Sequence, residues 1–138
     1  MPDLIVDTSA LLAYFDASEP DHAAVEREIN ASTDLLIVSP YVIAELDYLV
    51  ATRHGVRAEL AVLDELTGGA WELAVFDVAD LQQARSIVAN YSDHDVGVAD
   101  ASNVVLAHRH RTRTIVTLDR RHFEMLQPID GKQFTVLP

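Results

Sequence analysis

Leu4-Ile5-Val6-Asp7-Thr8-Ser9-Ala10-Leu11-Leu12 opens the chain, and the fold turns on how it is read. Leu4-Ile5-Val6 is a short apolar strand, and Asp7-Thr8-Ser9 then offers capping side chains to a helix over Ala10–Phe15. The same alternation continues outward. Pro20 and Asp21 open a second helix running to about Asn30, and the continuous apolar run Leu35–Val38 reads as a buried strand. Ser39 followed by Pro40 is an N-cap with a first-turn proline, starting a long helix that Gly55 ends. Arg57–Thr67 is amphipathic, and Gly68-Gly69 stops it.

Trp71–Phe76 reads as the third strand. Asp77, with Asp80 three residues on, starts a helix through Tyr91, and Val96–His108 forms another. Thr114–Leu118 and Phe134–Leu137 complete the strands. Strands alternating with helices of this length imply a parallel sheet covered on both faces. The expected fold is α/β, a three-layer α/β/α sandwich around a mostly parallel sheet. No repeat, low-complexity tract or linker interrupts residues 1–138, which read as one domain.

Composition narrows the function classes. A chain of 138 residues that is 49% hydrophobic has enough apolar material for one self-sufficient core. It contains no cysteine, which removes disulfide scaffolds, thiol nucleophiles and thiolate metal sites. The longest uncharged stretch, Leu35–Ala44, has 10 residues and includes Pro40, too short to span a bilayer. Asp3 and Asp7 stand where a secretory signal would carry basic residues, so a cytoplasmic soluble protein is expected, with no membrane partner. Twenty-two acidic against 10 basic residues give a net charge of −12, which disfavours nucleic-acid binding through a basic surface. Most of the carboxylates read as a solvated surface.

Four of them do not. In an open parallel sheet, reactive groups gather at the carboxyl ends of strands, and Asp7 and Asp119 directly follow strands. Glu45 lies in the Pro40 helix with Tyr41, Val42, Tyr48 and Leu49 as its neighbours at helical spacing, so it is expected on an apolar stripe. Asp100 repeats the pattern among Val96, Gly97, Asn103 and Val104. Burying several carboxylates together is strongly unfavourable without compensation. None of the nine arginines lies within four residues of Asp7, Glu45 or Asp100, and the lone lysine is Lys132. A divalent cation is the cheapest compensating charge. Oxygen-only ligation selects a hard ion, Mg²⁺ or Mn²⁺ rather than zinc.

Taken singly, Asp7 reads equally as the cap of the first helix, and Asp119 as a turn residue before Arg120-Arg121. The four together carry the argument. The histidines read as surface residues, since no pair has the spacing of a metal site. Thr8, Ser9 and Thr117 flank the strand-end aspartates and offer hydroxyls to orient them. Six of the ten basic residues lie between positions 109 and 132, and Arg120 and Arg121 directly follow Asp119, where they are candidates to contact phosphates or acidic groups of a partner.

Four segments in order resemble a known family: Ile5-Val6-Asp7-Thr8-Ser9-Ala10-Leu11-Leu12, Ser39-Pro40-Tyr41-Val42-Ile43-Ala44-Glu45-Leu46, Val98-Ala99-Asp100-Ala101, and Ile115-Val116-Thr117-Leu118-Asp119-Arg120-Arg121-His122-Phe123. Together they resemble the PIN-domain ribonucleases, especially the VapC-type toxins of bacterial toxin–antitoxin pairs. The resemblance implies a metal-dependent endoribonuclease whose acidic cluster matches Asp7, Glu45, Asp100 and Asp119. It also implies inhibition by a cognate antitoxin and a tendency to dimerise. Many relatives have an extra acidic or amide side chain beside the fourth aspartate, where this chain has Thr117.

On this reading Asp7 and Asp100 hold the ion directly, with Glu45 and Asp119 acting through water or on a second ion. Helices with apolar character nearly all round, such as Tyr41–Val50, need more cover than one sheet face, which points to a homodimer through Pro40–Thr67. Two rivals differ in chemistry. A phosphoacceptor domain wants an acid pair after its first strand and a late lysine, which Thr8-Ser9 and Lys132 match poorly. A non-catalytic PIN-like RNA- or protein-binding regulatory module has no need of all four acids.

Overall fold

The computed structural model describes residues 2–138. Strand β1 (Leu4–Val6) leads into α1 (Thr8–Phe15) and α2 (His22–Ala31). Strand β2 (Leu36–Val38) is followed by α3 (Pro40–His54) and α4 (Val56–Leu66). Then come β3 (Glu72–Leu73), α5 (Val78–Asn90), α6 (Val98–Arg109), β4 (Thr114–Val116), α7 (Arg120–Met125) and β5 (Thr135–Leu137). The five strands form one sheet in the order β3-β2-β1-β4-β5, and every pairing is parallel. The expected three-layer α/β architecture is therefore present, with a sheet that is wholly parallel.

Side chains alternate across the sheet and divide the core in two. Leu4, Val6, Val38 and Val116 face α1–α4, where Leu11, Val25, Val42, Leu46 and Leu66 cover them. Ile5, Ile37 and Ile115 face the other way, onto Ala84, Val104, Leu106 and Phe123 of α5–α7. Strand β1 is thus hydrogen-bonded on both edges and covered on both faces.

Local chemistry explains the element boundaries. Ser39 Oγ accepts from Tyr41 N at 3.1 Å with Pro40 in the first turn of α3. Asp77 and Asp80 cap α5 reciprocally, each carboxylate accepting from the other's main-chain N–H at 2.9 and 3.0 Å. Gly55, at φ 87°, ends α3 and opens α4, a left-handed conformation that glycine adopts without penalty.

Some expected elements are shorter or absent. The strand expected over Trp71–Phe76 contracts to Glu72–Leu73. It is the sheet's edge, and its apolar residues have another use: Trp71 packs edge-on to Tyr14 with ring centroids 5.5 Å apart. The helix expected from Val96 begins at Val98, and α7, read from sequence only as a turn, is a six-residue helix capped by Asp119. Among the described residues, no helix is long and apolar enough to cross a membrane.

Candidate active site

The sheet order reverses at β1. The chain first adds β2 and β3 on one side, then returns to place β4 and β5 on the other. In open α/β sheets the crevice at the carboxyl ends of such neighbouring strands is where ligands bind. Asp7 lies there, one residue beyond β1, with its main-chain N–H donating to Val116 O of β4 at 3.0 Å. It begins α1 but makes no side-chain capping bond, so its carboxylate is left for other partners.

Those partners come from two distant segments. Thr117 Oγ1 donates to Asp7 Oδ2 at 2.8 Å and Asn103 Nδ2 donates to Oδ1 at 3.1 Å. Ser9 Oγ is 3.4 Å from Oδ2 and 3.2 Å from Thr117 Oγ1, and it accepts from Leu118 N at 2.9 Å. Asp7 is only 6% exposed. Its carboxyl is raised to about 6: burial pushes it up, the Thr117 bond pulls it back, and the charges of Asp100 and Glu45 push it up again. Desolvation is the leading cause; the neighbouring charges put those two acids within electrostatic reach of Asp7.

Asp100 stands in the first turn of α6, accepting from Gly97 N at 3.4 Å. Its carboxyl is also raised, first by burial. The nearby His122 ring and the Gly97 N–H oppose this, and the charges of Asp119 and Glu45 add to it. Asp119 Oδ1 accepts from His122 N at 3.3 Å as the cap of α7. The charges of Asp100 and Glu45 thus reach Asp7, and those of Asp119 and Glu45 reach Asp100, so the four acids singled out from the sequence lie within electrostatic reach of one another near the switch point. Among the described residues, no lysine or arginine pairs with any of them.

Their settings differ from what sequence spacing suggested. Glu45 is exposed at the rim, because the buried stripe of α3 is Val42, Leu46 and Val50. Its neighbour Tyr48 is 68% exposed, so that flank of the helix is apolar in composition without being covered. Thr8 is buried, and its hydroxyl has no hydrogen-bond partner. Arg120 turns toward the far strand, its guanidinium donating to Pro138 O at 2.5 Å and Val136 O at 3.5 Å. Arg121 is exposed on the first turn of α7.

Two residues of the pit were not recognised as such in the sequence. Asn103 is 0% exposed and its Oδ1 has no partner. Its fixed spacing from Asp100, three residues along one helix, was the available signal. His122, read as a surface histidine, instead sits between two of the acids: Nδ1 is 2.9 Å from Asp119 Oδ2 and Nε2 is 3.7 Å from Asp100 Oδ2.

Among the described residues, no three acidic or histidine side chains are gathered tightly enough to be a ready-made cation site. The donor chemistry nonetheless suits a hard divalent ion. Asp7 is desolvated and lacks a cationic partner, thiolates are absent, and the buried Asn103 Oδ1 is an additional unused oxygen.

A family profile described as the PIN domain matches residues 4–126. The chain is 68% identical over 135 residues to Ribonuclease VapC26 of Mycobacterium tuberculosis, covering 98% of this chain and 100% of that relative. Among solved structures, VapC20 of Mycobacterium tuberculosis, described as a sarcin–ricin loop cleaving toxin, has a TM-score of 0.79 at 18% identity, over 86% of this chain and 92% of that one. A chain of a toxin–antitoxin complex from Klebsiella pneumoniae has a TM-score of 0.68 at 16% identity, over 98% and 96%. At such identities the solved structures speak for the fold, whereas the profile and the 68% relative speak for descent. The chain belongs to the PIN-domain family, among its VapC-type proteins.

Proposed function

We propose that this protein is a metal-dependent endoribonuclease toxin that hydrolyses RNA phosphodiester bonds in the cytoplasm and is neutralised by a cognate antitoxin. Residues 1–138 act as one unit in this reading. The observation that carries it is the desolvated Asp7 carboxyl, raised to about 6, with Asp100 and Glu45 in electrostatic reach. The name of the 68% relative, a ribonuclease, supports the reaction class. The solved toxin–antitoxin complex supports the partner.

Asp7 and Asp100 would hold one Mg²⁺ or Mn²⁺ directly, and Glu45 and Asp119 would reach it through water or support a second ion. When bound, such an ion lowers the pKa of water and offsets charge on the phosphate and on the departing 3′ oxygen. Thr117 and Ser9 hold Asp7 in place through their hydroxyls, and Asn103 fixes its other oxygen. An acidic pit repels phosphate until a cation inverts the local field. This reconciles an RNA substrate with a chain of net charge −12. Arg121, exposed beside Asp119, is the freer of the two arginines to meet RNA or an acidic group of the antitoxin.

The test is cleavage of RNA by the purified protein, freed of any partner, with and without Mg²⁺ or Mn²⁺. Attack by water predicts 5′-phosphate and 3′-hydroxyl ends, and cleavage that Asp100→Asn abolishes. Products ending mainly in 2′,3′-cyclic phosphate would overturn the mechanism. Turnover unaffected by Asp100→Asn would mark a contaminating ribonuclease.

A homodimer through Pro40–Thr67 is part of this reading. Its support is the exposure of Tyr48, Val56 and Leu60, at 68%, 63% and 55%, on α3 and α4, an apolar surface of the kind that marks association. Light scattering at micromolar concentration is expected to show a species of about twice 15.2 kDa. A species of 15.2 kDa alone would remove the homodimer.

A further inference from the structure

Among the described residues, His122 is the one group in contact with two of the acids that the mechanism leaves without a task. It stands on the first turn of α7, three residues after Asp119. Its Nδ1 lies 2.9 Å from Asp119 Oδ2, an ion-pair contact that holds the ring against that carboxylate. A neutral ring with its hydrogen on Nδ1 would carry its lone pair on Nε2. That atom is shielded from solvent and has no hydrogen-bond partner.

What Nε2 faces is the Asp100 carboxylate, at 3.7 Å from Oδ2. This is too long for a hydrogen bond. In that form the lone pair and the carboxylate would repel across the gap unless something positive sat between them. The separation suits a shared cation: with bonds of about 2.0–2.2 Å, two ligands of one ion lie about 3–4 Å apart. A ring whose other N–H is donated to a carboxylate is also the usual support of a metal-binding histidine, because that bond fixes both tautomer and orientation. A second buried atom is unused, the Oδ1 of the fully buried Asn103, whose amide already holds Asp7.

We propose that His122 supplies a nitrogen ligand, through Nε2, to the divalent cation shared with Asp100, making a mixed nitrogen–oxygen site that takes Mn²⁺ in preference to Mg²⁺. The inference rests on the metal-dependent reading above and sharpens it. It departs from the oxygen-only ligation expected of the sequence. An imidazole nitrogen suits transition-series ions better than Mg²⁺. Asp119 then positions the ring and has less need to reach the ion itself.

The experiment uses the full chain loaded with one equivalent of MnCl₂ and pulsed electron paramagnetic resonance, which detects nitrogen-14 bound directly to Mn²⁺. A directly bound imidazole signal is expected in the wild type and in His108→Gln, whose ring is exposed on another part of α6. It should vanish in His122→Gln, with Mn²⁺ affinity falling about tenfold or more and Mg²⁺ affinity, measured by competition, falling less. Mn²⁺ bound without nitrogen coupling in the wild type overturns the proposal and leaves the acid cluster intact as a metal site. That outcome also covers an imidazolium that merely bridges the two carboxylates. Equal, negligible Mn²⁺ binding by wild type and Asp100→Asn overturns both readings. The wild-type spectrum decides the matter even if His122→Gln fails to fold.

Discussion

Asp7→Asn is expected to lower metal-dependent RNA cleavage by about a thousandfold or more while making the metal-free protein more stable at pH 7. The loss follows from the size of the effect a cation supplies. Several kcal/mol of charge stabilisation at the phosphate corresponds to about three powers of ten in rate, and the neutral amide removes the carboxylate proposed to hold the ion. The gain follows from the same burial. Asp7 is 6% exposed and its carboxyl is raised from 3.8 to about 6, so the folded protein at neutral pH carries a charge it would rather not have. About two pK units correspond to about 3 kcal/mol, and an isosteric amide should recover about 1–3 kcal/mol of it. The Thr117 hydroxyl can rotate to accept from the new NH₂ group, keeping the pit satisfied. Chemical denaturation in the presence of a chelator, together with a cleavage assay, checks both halves. A variant that is inactive and less stable would mean that the Asp7 carboxylate is chiefly structural, through its bonds with Thr117 and Asn103.

The second large effect is a linkage between pH, cation and stability. For Asp7 the folded pKa lies above the unfolded one, so the native state binds the extra proton and stability falls as pH rises through the interval from about 4 to about 6. Asp100 is raised for the same reason and acts in the same direction. The carboxyls held low, Asp16, Asp80 and Asp130, owe this to hydrogen bonds from Ser18, Asp77 N–H and Arg113 respectively. They titrate below the ordinary aspartate range, outside that interval, whereas Glu59, raised by its hydrogen bond with Asp47, lies at the surface and adds to it only weakly. Metal-free protein should therefore melt at a higher temperature at pH 5.5 than at pH 7.5. A saturating divalent cation should reverse the order. At a hundred times its dissociation constant it contributes about 2.7 kcal/mol, or about 10 °C in a domain of this size, at pH 7.5. At pH 5.5, protons compete for the same oxygens and the shift should shrink. Melting curves at the two pH values, with chelator or cation, measure it. A cation shift independent of pH would detach the ion from Asp7 and Asp100.

The architecture was legible because the inner strands Leu4–Val6 and Leu36–Val38 are unbroken apolar runs and Thr114–Val116 is largely apolar, and because capping residues mark where the helices after them begin. The edge was harder. Trp71–Phe76 has strand composition, yet only Glu72 and Leu73 find a ladder, since a strand with one neighbour ends wherever that neighbour does. Helix α7 has six residues, too few to display a period, and its first three are Arg120, Arg121 and His122. With α7 unread, the three-residue spacing that brings the His122 ring onto Asp119 had no meaning, and the histidine went to the surface. Asp7, Asp100 and Asp119 were findable because each interrupts an apolar context or ends a strand. Glu45 was found by a less secure argument. Tyr48 and Leu49 made its side of α3 look like core, whereas the covered side runs along Val42, Leu46 and Val50. Asn103 was visible only as a neighbour of Asp100, since an asparagine in a helix does not announce that its amide is wholly enclosed.

The central place of β1 has a mechanical meaning. A repelling group on a frayed edge or a mobile loop can swing outward and dissipate its discomfort. Asp7 has no such escape: its anchor is laced to strands on two sides and roofed above and below, and its own N–H is tied to Val116 O. The electrostatic tension is held on a strand fixed along both edges and both faces, where an arriving proton or cation discharges it.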